Sequence, residues 1–525
     1  MAALGVFVAY LVAIAVIAYY GAKRCKTLTD FIAASGQLGF WTYTLLMIGA
    51  GVSGMSILGV AGVSFTYGWA QMWGDLGTIV VAISFGTILV GYKLWTLRKR
   101  YGIWDVQDYF AIRYEDPKLF RALAGIVSAA CCFSYLIGQY TAIGVVSEVV
   151  LGLPYFVGSL IALIVIVGYV LTGGMFSTAW TTFLQSLLFI VGVFVMTPII
   201  VSQMGGLERL NELLSQVPLL QQTVRGKDPG YLFAYFLDKP WAPPSVPFAG
   251  WTYLIGLYGI IVPFGLMVAP HIINNLTCFK DAKYMRWSPV IMYVVTALLT
   301  LCVTVIGIAA RVAWAQGKLE IPTLTLSGGV KVSWSDMSFP TIAKALLPYG
   351  VYLLLLPVVL AAVMSTTDRL LVTAATNISY DVVRNALKPT ISDRKIKLIN
   401  WIVILAFGLG SWYLALTPQP MLAWFIWAAN AIACNSFFWP VLGGLYWRRM
   451  NKHAARWGMI AGFVATLVSF AIWGTTIPIP GALIYAGVPG FIVHTVVTLI
   501  VAYATKPHSE DLLKSTLTGP FIRPR

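Results

Sequence analysis

Apolar residues in this chain come in continuous runs separated by short polar stretches. Runs of about 20 residues, each long enough to cross ~30 Å of hydrocarbon as a helix, recur from Val6 to Tyr503. The pattern predicts 13 spans, near 3–22, 40–66, 72–95, 119–150, 155–172, 180–203, 249–273, 288–312, 341–382, 396–416, 420–446, 456–475 and 480–504. A transmembrane β-barrel would instead show short alternating segments. The expected class is an all-α polytopic membrane protein forming one transmembrane unit over 1–525.

Two runs are interrupted in matched places. The second contains Gly49-Ala50-Gly51-Val52-Ser53-Gly54, and the seventh contains Pro263-Phe264-Gly265 and Ala269-Pro270. They lie five spans apart, an odd number of crossings, so they cross in opposite directions. Unwound backbone at mid-membrane frees carbonyls for a cation and N–H groups for an anionic solute. Paired broken helices in two halves of a chain point to a transporter site built from inverted repeats.

The ninth run carries Ser365-Thr366-Thr367-Asp368-Arg369 inside apolar surroundings. Ala362, Ser365 and Thr366 stand three and four positions apart, so one carbonyl and two hydroxyls share a helix face. Such an uncharged oxygen set suits a small cation such as sodium, which it can release again. The same hydroxyls could equally bond back to the preceding turn. Asp368 reads as an ion ligand, a proton carrier or the partner of a nearby donor. Arg369 could snorkel or pair with a carboxylate.

Composition narrows the picture. Of 525 residues, 59% are hydrophobic and 10% charged, with mean hydropathy +0.82, too little charge to cover a soluble protein of this length. The net charge of +16 suggests nucleic acid until its distribution is traced. With the N-terminus outside, 26 of the 35 Lys and Arg fall on the cytoplasmic side. This is the positive-inside bias, and it supports an odd number of spans with a cytoplasmic C-terminus. The first run lacks the basic flank of a signal peptide and is expected to be retained. The six Cys show no metal-ligand spacing. Four His, with no phosphate-cradling loop, leave little from which to build an enzyme or an ATP-driven pump.

Together these residues resemble the sodium/solute symporter family of sodium–glucose, sodium–proline, pantothenate and monocarboxylate cotransporters. The resemblance runs through Asp30-Phe31-Ile32-Ala33 with Leu38-Gly39, Arg113-Tyr114, Gly173-Gly174-Met175 with Trp180-Thr181, and Phe339-Pro340. It continues through Ala361 to Thr366 and ends at Trp439-Pro440 to Arg449. It implies 13 helices in a leucine-transporter-like five-plus-five inverted repeat. An extra helix at 3–22 would precede the first repeat at 40–203 and the second at 249–446, with two more helices at 456–504. Carried over by position, the family's main sodium site falls on the Val52 and Met55 carbonyls, the Ala362 carbonyl and the Ser365 and Thr366 hydroxyls. Many members carry an acid where this chain has Thr182, and hydroxyls where it has Asp368 and Arg369. The carboxylate has moved across a second ion or proton site, or that ion is absent; one sodium is expected.

The segment Ala269-Pro270-His271-Ile272, with Lys280-Asp281-Ala282 after it, looks more like the proline, pantothenate and monocarboxylate branch than the sugar branch. The expected function is a sodium-coupled symporter importing a small organic carboxylate or amino acid by alternating access. Candidate solute contacts are Ser53, Ser56, Gln71, Trp73, Gln139, Phe264 and Asn430, for each of which ordinary helix packing is an equal reading. The expected partners are the solute, sodium and membrane lipid, without nucleic acid or an obligate protein partner. The expected location is the plasma or inner membrane. A proton-coupled symporter using Asp368 is the rival mechanism, and a transporter-like solute sensor is the rival class.

Overall fold

The computed structural model describes residues 2–24, 30, 34–72, 74, 79–217, 255–325, 331–417, 421–479 and 482–517. Helix α1 (Ala2–Arg24) is followed by the bent pair α2 (Phe40–Gly51) and α3 (Met55–Tyr67), then by α4 at 79–101. A short helix α5 (Val106–Arg113), capped by the Asp105 carboxylate, leads into α6 (Leu119–Leu151). Helices α7 (Tyr155–Gln203) and α8 (Leu207–Ser215) come next, then a second bent pair, α9 (Ile255–Met267) and α10 (Pro270–Thr277). Helix α11 (Ser288–Ala315) precedes a hairpin of β1 (Thr323–Thr325) and β2 (Lys331–Ser333). The chain continues with α12 (Ser338–Leu346), α13 (Leu355–Thr376), α14 (Asp393–Ala415), α15 (Ala423–Tyr446) and α16 (Lys452–Trp473). A second hairpin, β3 (Thr476–Ile479) with β4 (Ala482–Tyr485), leads to α17 (Val488–Ala504).

Among the described residues, eight helices are long and apolar enough to cross a membrane, and counting each bent pair as one span gives ten. The two hairpins depart from an all-helical reading. The second also corrects a boundary: the run expected at 480–504 becomes helical only at Val488, because 482–485 pairs as a strand. Residues 249–254 of the seventh run lie outside the described residues.

Helix α7 joins two expected spans in 49 helical residues, which would measure about 74 Å if straight. It is a hairpin instead. Tyr155 bonds the Ala415 carbonyl at one end of α14, and the Leu171 carbonyl accepts from Trp401 towards the other. Past Gly173-Gly174 the chain returns beside α1, with Ser177 bonded to the Ala18 carbonyl and Gln185 to Tyr10. The reversal lies at the end of the bundle that carries Lys23 and Arg24, called the basic end below.

Helix α13 is the axis of the molecule. All 22 of its residues are buried, packed between α2, α6, α7 and α14. Its hydroxyls and its charged pair are therefore enclosed by protein and do not face lipid, as buried polar groups in a membrane require.

Candidate functional site

The site is built where α13 passes the first break. Helix α2 ends with the Val52 N–H bonded to the Ile48 carbonyl, and Val52 then turns extended at φ −88°, ψ 117°. The next N–H groups go elsewhere: Ser53 N–H to Ser56 Oγ (3.3 Å), Gly54 N–H to Gln139 Oε1 (3.1 Å) and Met55 N–H to Ser53 Oγ (3.2 Å). Helix α3 sets off at 61° to α2. Side chains thus cap the donors of the break, and carbonyls upstream of it lose their helical partners.

Those carbonyls meet α13. Ser365 Oγ lies 2.9 Å from both the Gly49 and Ala362 carbonyl oxygens, and Thr366 Oγ1 lies 3.2 Å from both the Gly49 and Val52 carbonyl oxygens. Four oxygen–oxygen approaches share only two hydroxyl protons, so at least two have no proton between them. A cation would serve all five oxygens at once, and the neutral donor set fits sodium as cargo. Val52, Ala362, Ser365 and Thr366 are brought together as expected by position, but Met55 is not. Its carbonyl accepts the Val60 N–H inside α3, and Gly49 takes its place opposite Ser365. The reason is polarity: a break frees carbonyls before it and amides after it.

Beside this cage, Ser56, Met55, Tyr135, Tyr258, Trp427 and Asn430 line a small cavity with room for about one water molecule. Ser56 and Asn430 reach it as expected. Gln71 stands behind it, its Oε1 accepting from Tyr258 Oη at 3.1 Å. Ser53 and Gln139 are engaged at the break, and Ser53 Oγ also bonds Tyr135 Oη at 3.2 Å. Phe264 was expected as an aromatic wall, but its ring packs on Phe438 at 4.9 Å, while Val262 and Leu266 line the space. Trp73 lies outside the described residues. Sequence reasoning missed Tyr135, Tyr258 and Trp427. Tyr135 sits one turn from Gln139 on α6, and that i,i+4 spacing was the available signal.

Thr182 of α7 is buried beside the cage: a side chain at Gly49 would collide with Thr182 Cγ2 and Ser186 Oγ. Asp368 turns away from it. Tyr169 Oη donates to Asp368 Oδ2 at 3.3 Å, and no hydrogen bond joins Thr182 to Asp368 among the described residues. Arg369 points towards α10, in contact with Met175 Sδ and Asn275 Oδ1.

At the basic end, Arg121 of α6 holds Asp381, just past α13, at 2.8 Å, and Asp108 of α5 at 2.6 Å. Burial, with the Asp108 charge second, pushes the nearby Asp105 carboxyl up to about 7. At the other end Asp336, in the loop before α12, accepts from Leu422 N–H at 2.8 Å, tying that loop to the start of α15. Burial raises its carboxyl to about 8.

The family model for sodium:solute symporters matches residues 31–462, most of the chain. The chain belongs to the sodium:solute symporter family. It is therefore a multi-pass membrane transport protein. Its relatives include the osmoregulated proline transporter OpuE of Bacillus subtilis, 24% identical over 95% of this chain and 94% of that one. The sodium/pantothenate symporter of Escherichia coli is 26% identical over 87% of this chain and 88% of its own length. Among solved structures, a sodium-coupled sialic acid symporter in a substrate-bound outward-open state superposes with a TM-score of 0.74, at 17% identity, over 97% of this chain and 98% of that one. That likeness shows the fold, which is the leucine-transporter-like fold of this symporter family.

Proposed function

We propose that the protein is a sodium-coupled symporter that imports a small organic carboxylate or amino acid by alternating access. The observation that carries the reading is the convergence of the Gly49, Val52 and Ala362 carbonyls with the Ser365 and Thr366 hydroxyls across two helices. Neither helix alone supplies the set. A sodium ion there would bind the broken span to α13 and pre-organise the adjoining cavity for solute.

The solute class draws on chemistry common to the relatives. Proline, pantothenate and sialic acid, named for three related transporters, each carry a carboxylate. In this chain Ser56, Asn430, Tyr135, Tyr258 and Trp427 stand among Gly51, Met55, Val262, Leu266 and Ile426, a mostly apolar lining with few polar groups that suits a small-molecule site, and its walls must part to admit a solute larger than water. On this reading the chain crosses the membrane 13 times, with repeats at 40–203 and 249–446, the N-terminus outside and the basic end cytoplasmic. One sodium accompanies each solute, and the membrane is the plasma or inner membrane.

The test is uptake into proteoliposomes loaded with potassium, with and without an inward sodium gradient. Accumulation that needs the gradient supports the reading. Uptake indifferent to sodium removes the coupling.

A further inference from the structure

Arg369 is a buried guanidinium with too few acceptors. It is 2% exposed, and its Nε and NH2 atoms have no hydrogen-bond partner among the described residues. Its remaining nitrogen touches Met175 Sδ and lies 3.4 Å from Asn275 Oδ1. The neighbouring Asp368 carboxylate turns to Tyr169 instead. A charge enclosed in this way normally has a matching anion.

The element across from it adds donors. His271 and Asn275 stand four positions apart on α10 and are 0% and 1% exposed. Both ring nitrogens of His271 and Nδ2 of Asn275 also lack partners among the described residues. Arg369 is the charge felt by the His271 ring, and Asp368, Cys278 and Tyr169 are the other titratable groups around Arg369. The cluster thus holds a guanidinium fork, an amide NH2 and an imidazole with one N–H and one bare nitrogen; Asp368 Oδ1 is also without a partner, but no hydrogen bond joins that carboxylate to Arg369 side-chain nitrogens among the described residues. A planar oxyanion supplies what such a fork needs, two oxygens in its own plane.

We propose that Arg369, Asn275 and His271 form a carboxylate-binding site distinct from the cavity beside the cage but sharing a wall with it, since the His271 ring meets the Tyr135 ring edge-on at 5.2 Å. Arg369 follows Ser365 by one helical turn on α13. The site lies towards the basic end, because α10 ends at Thr277, whose carbonyl is held by Arg98. It rests on the reading of the solute as a carboxylate, and would be a second station on the solute's way out. A carboxylate there also screens the guanidinium from the sodium cage, so anion and cation favour each other's binding.

The test uses purified full-length protein at constant sodium and ionic strength, with chloride exchanged stepwise for propionate and the thermal unfolding temperature read at each step. The wild type is expected to show a saturable rise. Arg369→Lys and Asn275→Ala are expected to shift its midpoint to propionate concentrations on the order of tenfold higher. Arg369→Gln is expected to abolish the saturable component; Arg369→Lys keeps the charge should Arg369→Gln fail to fold. A response kept in the Arg369 variants but lost in Asn430→Ala places the carboxylate in the central cavity and overturns the second station while leaving carboxylate symport intact. A wild type indifferent to propionate that is stabilised by sugars overturns both readings.

Discussion

Ser365 Oγ stands 2.9 Å from the carbonyl oxygen of Gly49, a residue 316 positions earlier in the chain. The same hydroxyl lies equally close to the Ala362 carbonyl, and it has one proton to give. On the proposed reading a sodium ion resolves that competition. Removing either hydroxyl should weaken ion binding more than it weakens the fold. Ser365→Ala and Thr366→Ala are each expected to raise the sodium concentration for half-maximal uptake by about five- to thirty-fold, the equivalent of ~1–2 kcal/mol. Sodium titrations in proteoliposomes measure this, and two unchanged midpoints would move the ion elsewhere.

Gly49 offers a steric handle on the same contact. Its missing side chain would collide with Thr182 Cγ2 and Ser186 Oγ, both at the ends of side chains. Gly49→Ala should destabilise the protein by about 1–3 kcal/mol through overpacking and raise the sodium midpoint. Adding Thr182→Ser, which deletes the offending methyl, should recover part of both effects. A double-mutant cycle reads the coupling, and strict additivity would show that the two residues do not meet. Gly265→Ala should be harsher, because its new atom would strike the Asn430 backbone, which cannot swing aside.

Asp368→Asn separates the two coupling ions. If sodium drives transport, the variant keeps gradient-dependent uptake. The Asn oxygen can still accept from Tyr169, the partner Asp368 has now. Uptake that follows a proton gradient in the wild type and vanishes in this variant would favour the proton-coupled rival.

Arg121 is expected to matter for stability before transport. It bonds both Asp381 and Asp108, and Asp381 is fully buried. Arg121→Gln strands a buried carboxylate and should cost about 3–5 kcal/mol. Asp381→Asn removes that buried charge and leaves Arg121 bonded to Asp108, so it should cost less. Thermal unfolding of the two variants gives the order, and a reversed order would mean that the pair is not the source.

Asp336 gives a pH prediction. Burial holds its folded carboxyl near 8, above the ordinary 3.8, so between those values the folded state binds the proton that the unfolded state has released. This group therefore lowers stability as pH rises from about 4 to 8. Asp336→Asn keeps an acceptor for the Leu422 N–H and removes the titration. Its unfolding temperature should fall less than the wild type's between pH 5 and pH 8; parallel slopes would rule Asp336 out.

Much of the architecture was legible because hydrophobic run length is a strong signal and lipid permits few alternatives. Gly49 to Gly54 and Ala269-Pro270 mark both bends in the sequence itself. The register of the first break was not legible. Met55, to which the resemblance points, lies on the amide side of the interruption, where its carbonyl accepts the Val60 N–H, whereas Gly49, before the break, stands opposite Ser365. The strand at 482–485 was hidden because Ala482-Leu483-Ile484-Tyr485 is as apolar as the helix after it, and run length alone cannot separate them. Phe264 is absent from the cavity lining for a rotational reason, since it sits between Val262 and Leu266, which do line it. Spacing fixes a face only when the winding is known, and the wide turns at 255–261 shift it.

The five cage oxygens are divided two and three between a broken helix and an unbroken one. A shift of one helix against the other by little more than an atomic diameter would leave two partial sets, neither able to hold an ion. Such a site has no graded response: it is whole or it is gone. Occupancy would then work as a removable staple between two moving parts, and withdrawing it would unlatch the assembly at the moment the cargo departs.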